Sequence, residues 1–110
     1  MAITDDDIES ALSWMVKNSE KAAKARADRL FIEESLKPLK AKLMKDSEQD
    51  SLGAQEREAL ANPLYQAQLE GLRAAVYEDE LFRLRYKSAD ARIEAWRTMS
   101  SNNRSIGKVG

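Results

Sequence analysis

Apolar residues recur along much of this chain at alternating steps of three and four, the spacing that gathers one face of an α-helix. The longest such run lies between Asn62 and Ser101. One stripe follows Tyr65, Leu69, Leu72, Val76 and Asp79, and a second follows Phe82, Tyr86, Ala89, Ile93 and Trp96. Continuing the first stripe would land on Arg83, so the second arrives one residue early. That offset, about 100° of helix rotation, swings the buried face round near Asp79. A third line, Tyr77, Leu81, Leu84, Ser88, Ala91 and Ala95, keeps the same spacing on another side. A helix that is apolar on more than one side touches more than one neighbour. The third line is therefore either further core or a self-association surface built on Tyr77, Leu81 and Leu84. Asn62 suits an N-cap and Pro63 the first helical position, where its missing N–H costs nothing. No proline follows Pro63. The pattern predicts a helix over 63–101.

The first half reads as a second long helix, over 5–45. Thr4 can cap its start, and Asp5, Asp6 and Asp7 complement the positive end of the helix dipole. Three consecutive aspartates on a helix point about 100° apart and cannot converge on one ion. Ile8, Leu12, Met15 and Val16 form an apolar face beside Ala11, while Trp14 falls off it, exposed or free for a contact. From Lys21 to Arg29 the seam thins to alanines among basic residues, and Leu30, Phe31, Ile32, Leu36, Leu39, Leu43 and Met44 restore it. Pro38 interrupts without ending the apolar spacing, so a kink near it is expected. The polar stretch 46–62, with Gly53, reads as the connection, carrying a turn or two of helix over 55–61. Residues 102–110 lose all periodicity and read as a flexible tail.

Charge sets the expected topology. Residues 1–20 carry a net −4, 21–45 a net +5, 46–63 a net −4, 64–82 a net −3 and 83–110 a net +5. A chain folded back about residue 54 places position i opposite 109 − i. Acidic 1–20 then lies along basic 83–110, and basic 21–45 along acidic 70–80. The same register brings Leu12 and Met15 near Ile93 and Trp96, and Leu36 near Leu72. Exposed ion pairs contribute only about 0–1 kcal/mol each, but like charges in register cost similar amounts. The expected fold is all-α: one domain, an antiparallel, coiled-coil-like helical hairpin, two copies of which can pair as a dimeric four-helix bundle.

Composition agrees and narrows the chemistry. Of 110 residues 34% are charged and 6% aromatic, and neither cysteine nor histidine occurs. Disulfides, thiol catalysis, histidine acid–base chemistry and ordinary zinc sites are thereby removed. No run reaches 18 apolar residues, and the acidic N-terminus is unlike a signal peptide, so a soluble protein of the cytoplasm is expected, with no membrane partner. Glycine-rich phosphate loops and nucleophile elbows are absent. Glu70, Glu78, Asp79 and Glu80 suggest a carboxylate cluster, but paired-carboxylate metal helices use Glu-x-x-His. Asp79 with Arg83 is read more simply as an i,i+4 surface pair. No catalytic, cofactor or metal residue is assigned, and an enzyme is not expected.

Nucleic-acid binding is the remaining chemical option. Arg83, Arg85, Lys87, Arg92, Arg97, Arg104 and Lys108 interleave with Tyr86 and Trp96. Such cations neutralise phosphates and such aromatics stack on unpaired bases. The competing reading is an internally paired, solvated face, consistent with an isoelectric point near 5.6. Arg83, Arg97, Arg104 and Lys108 are the candidate contacts.

The segment Tyr65-x3-Leu69-Glu70-Gly71-Leu72-x2-Ala75-Val76, then Glu80-x2-Arg83, then Ile93-Glu94-Ala95-Trp96-Arg97 and Arg104 resembles a set of small phage and prophage proteins. Their recurring pattern is Y-x3-L-x-G-L-x2-A-V, E-x-x-R, I-E-x-W-R and a basic tail with Ser and Asn. The likeness covers about residues 63–105 and is weaker over Leu36–Lys45, where Pro38 departs from it. Such proteins are typically encoded beside single-strand annealing recombination and replication genes. The resemblance implies a bacterial host cell and an accessory role in phage DNA metabolism, exerted on a recombination protein or single-stranded DNA. It transfers no catalytic residue. The alternative is a helical interaction module, such as a scaffold, an assembly chaperone or an inhibitor of a host protein, indifferent to nucleic acid.

Overall fold

The computed structural model describes Ala2 to Val109, with side chains as far as Arg104. Among the described residues there are three α-helices and no strand: α1 (Asp5–Lys45), α2 (Leu52–Ala61) and α3 (Pro63–Val109). The start of α1 is fixed reciprocally. The Asp7 N–H donates to Thr4 Oγ1 at 3.2 Å, and the Thr4 N–H donates to Asp7 Oδ2 at 2.9 Å. This is a capping box with aspartate in the returning position, and it satisfies two otherwise orphaned donors. α1 then runs through Pro38 without ending. Pro38 is exposed and supplies no N–H to the carbonyl of Glu34.

The connection is more ordered than a loop. Ser51 Oγ accepts the Ala54 N–H at 3.1 Å and starts α2 three residues before the expected turn at Gln55. Gln55 Nε2 donates to the Gln49 carbonyl at 2.9 Å and ties the linker to the helix. Asn62 then ends α2 and opens α3, its Oδ1 accepting the Leu64 N–H at 2.8 Å, with Pro63 as first helical residue. The far end departs from expectation. Of the tail read over 102–110, residues 102–109 are helical in the structure, since α3 passes Ser101 and continues to Val109, and Gly110 lies outside the described residues. Loss of three-four periodicity does not require loss of helical backbone, and no proline stands in the way.

The chain divides into two compact units, one made of the ends up to Ala22 and from Leu81, the other of Ala23–Glu80. In the second unit α2 is held to α1 by Lys40 Nζ on Glu56 Oε1 at 2.6 Å, and near the end of α1 Ser47 Oγ donates to Glu58 Oε2 at 2.8 Å. α1 and α3 run antiparallel there: Arg29 reaches Asp79 and Glu80, and Gln68 donates to Ser35 further along. The first unit is antiparallel too, but in a register other than expected. Trp96 Nε1 donates to Asp5 Oδ1 at 2.9 Å, and Ala11 and Trp14 share a groove with Arg85, Ser88 and Ala89. Leu12 and Met15 thus lie about two turns from the predicted alignment with Ile93 and Trp96. Charge blocks of roughly twenty residues tolerate such a shift without unpairing, so they set direction and leave register to individual polar partners.

The packing is shallow. The buried apolar residues are Ile8, Ala11, Ala25, Ala59 and Ala89, and no large side chain is fully buried among the described residues. Alanine lets helices approach closely while removing little apolar surface from water. Val16 (77% exposed) and Phe31 (75%) remain open to solvent.

Candidate nucleic-acid interface

A groove of about 320 Å³ opens in the first unit between α1 and α3. Its lining is Ser10, Ala11 and Trp14 from α1 with Arg85, Ser88, Ala89 and Arg92 from α3. Helical spacing explains the grouping. Ala11 and Trp14 are three apart; Arg85, Ser88 and Arg92 are separated by three and four, which puts them on one face. Buried Ala11 and Ala89 form the floor. Trp14 also borders a second, more acidic depression with Asp6, Glu9, Ser13, Lys17 and Asn18. The indole is half-buried, and its residue's carbonyl accepts from Asn18 Nδ2 at 2.9 Å.

The local field is set by Arg92 and Asp7, which line a further small cavity together with Ala2 and Ile3. The Thr4 N–H foremost, then the Thr4 hydroxyl and the Arg92 charge, hold the Asp7 carboxyl below the usual carboxylate value. Arg92 thus has an acidic neighbour in Asp7, and both Arg85 and Arg92 are exposed. An indole with two guanidinium groups and two hydroxyls provides one stacking surface and charge-assisted donors for an anion.

The residues expected from sequence are placed differently. Arg83 is exposed but already engaged by a neighbouring group. Arg97 is exposed and lies 3.2 Å from Glu94, one turn away. Arg104 is exposed, and the Lys108 side chain lies outside the described residues. None of the four lines the groove. Trp96, an expected stacking aromatic, has its indole N–H committed to Asp5. Of the proposed self-association residues, Tyr77 (70%) and Leu84 (54%) are exposed and Leu81 is half-buried. Arg85 and Arg92 were legible as an i,i+7 pair, but only the register of α1 against α3 brings Trp14 between them.

The carboxylate cluster resolves into structure. Asp79, read as a surface partner of Arg83, is instead 8% exposed and accepts from Arg29 Nη1 at 3.0 Å. The same nitrogen lies 3.2 Å from Glu80 Oε1. The Asp79 hydrogen bond, aided by Glu80, holds the Arg29 guanidinium above its ordinary pKa. Asp79 continues the helical spacing of Leu72 and Val76, which are half-buried, and is more deeply buried than either. Among the described residues, no group of three or more carboxylates is arranged to hold a metal ion. No helix is long and apolar enough to cross a membrane. Comparison with protein-family models, with curated proteins and with solved structures finds no match to this chain.

Proposed function

We propose that this chain is a non-enzymatic accessory protein of phage DNA recombination or replication that contacts single-stranded nucleic acid through the Trp14 groove. The observation that carries the reading is the convergence of Trp14, Arg85 and Arg92 on one open face. An unpaired base stacks on the indole while flanking phosphates meet the guanidinium groups. A duplex, with its bases already stacked, offers Trp14 nothing. The acidic first turn of α1 disfavours a broad phosphate track, which fits a short contact on a flexible strand better than a long one. The likeness of residues 63–105 to phage proteins encoded beside annealing recombinases supports the same context.

Anisotropy of a labelled oligothymidine, measured across salt, tests it. Two phosphate contacts give a log–log salt slope of about −1.4 for a single strand. Trp14→Ala is expected to weaken binding by roughly tenfold or more, in line with about 1–3 kcal/mol per stacked base. Arg85→Glu with Arg92→Glu abolishes it, and Arg97→Glu, outside the groove, changes it little. Absence of binding at low salt, or equal loss in all variants, sinks the reading.

A second reading, a helical protein-interaction module that pairs with another copy or a phage or host protein, is favoured by the shallow packing and by exposed Tyr77 and Leu84. Apolar side chains left open in a chain with so little core are covered most economically by a partner.

A further inference from the structure

The Ala23–Glu80 unit carries a different kind of groove. Its lining is Ala25, Asp28, Phe31 and Ile32 from α1 with Ala74, Ala75 and Glu78 from α3, around about 330 Å³ of space. One wall holds the large Phe31, 75% exposed, above half-buried Ile32. The apolar part of the other wall is only the methyl groups of Ala74 and Ala75, so the trough beside the phenyl ring is left unfilled. Asp28 and Glu78 stand one on each wall. Lys24 is the nearby cation: it sits 2.7 Å from Asp28 Oδ2, and its ammonium is held protonated by Asp28 first and more weakly by Glu78. One cation thus faces two carboxylates, and the rim keeps a net negative charge.

We propose that this groove is a docking site for an amphipathic helix of a partner protein whose apolar anchors are flanked by lysine or arginine. The trough takes anchors spaced i, i+3/i+4, i+7, the mode by which helices lie in grooves. The two rim carboxylates select basic flanks through charge complementarity. The same charges weigh against the other occupants. A second copy seated two-fold on this groove would bring Asp28 and Glu78 of both chains against one another. A nucleic-acid strand would set its phosphates against the same carboxylates. The site is separate from the Trp14 groove and does not depend on it.

The test is a displayed library of helical peptides, randomised on all faces and selected on the full chain. Selected sequences are expected to carry apolar residues at i, i+3/i+4, i+7 with Lys or Arg beside them. Ala74→Leu, which fills the trough and keeps a strong helix former, is expected to cut binding of a selected peptide by tenfold or more, with helicity by circular dichroism unchanged. Glu78→Lys, at an exposed position, is expected to lose basic peptides without loss of fold. Selected sequences with no basic enrichment, binding undiminished in both variants, or no selection at all would each overturn the proposal. So would a fall in the mass of the chain alone, by light scattering, in Phe31→Glu, because the groove would then be an interface between copies.

Discussion

At the scale of single residues, Gly71 and Asp7 make contrasting contributions. Gly71 lies inside α3, and a methyl group placed at its Cβ position would meet no atom within 4 Å. Glycine in a helix interior loses more backbone entropy on folding than alanine does. Gly71→Ala is therefore expected to stabilise the chain by about 0.5–1 kcal/mol, read as a rise in melting temperature. Asp7 acts only as a carboxylate. Thr4 holds its pKa below the unfolded value, and Lys40 does the same for Glu56. A depressed carboxylate contributes stability that is present above the unfolded pKa and lost as pH falls through the folded one. Melting temperature should accordingly hold steady above about pH 5 and fall below about pH 4. In Thr4→Ala with Glu56→Gln the acid fall should be smaller; an identical profile in that variant would assign the acid sensitivity to other groups.

At the scale of elements, the Arg29–Asp79 pair acts as a register marker between α1 and α3 within its unit. The pair is partly buried, with Asp79 the deeper member, so removing Arg29 leaves the carboxylate uncompensated, whereas replacing both with apolar groups of similar size is often neutral. Arg29→Met alone is expected to lower the melting temperature by several degrees. Arg29→Met with Asp79→Leu is expected to recover most of that loss. If the double variant keeps its melting temperature but shows several helix alignments by cysteine cross-linking, register specification is the role of the pair. The helices themselves were largely legible. Thr4 with the aspartates marked the start of α1, and Asn62–Pro63 marked the start of α3. α2 was only half visible, because Gly53 masks the Ser51 cap that precedes it. The helical end of α3 was not visible, because three-four periodicity reports a buried stripe and not helical backbone as such. Register was legible at Arg29, which meets Asp79 and Glu80 as the charge blocks predict, and was missed in the first unit, where those broad blocks do not foresee a single bond such as that of Trp96 to Asp5.

At the scale of the whole molecule, the proposed action by association rests on charge and open apolar surface. The acidic and basic blocks fix antiparallel direction in each unit, yet Tyr77, Leu84, Phe31 and Val16 stay open. Leu81→Glu with Leu84→Glu is expected to preserve helicity and to lower the mass seen by light scattering; an unchanged mass would remove self-association through that side. The site was less legible than the fold. Counting arginines along 83–108 selected Arg83, Arg97 and Arg104, while the groove uses Arg85 and Arg92 because they share a face with Ser88 and meet Trp14 from the other helix. Trp14 was noticed only as a residue off the apolar stripe.

The alanine contacts at Ala11, Ala25 and Ala89 carry one more consequence, this time calorimetric. Melting a fold joined by methyl groups hydrates little new hydrocarbon, so its heat-capacity step should fall below the usual ~12–15 cal/mol/K per residue. Its urea dependence should be correspondingly weak, since that slope also follows newly exposed surface. The free chain should melt gradually over a wide interval. A partner that covers Phe31 or Leu84 would add the missing hydrocarbon contact, and its arrival would show first as a narrower, more heat-absorbing transition.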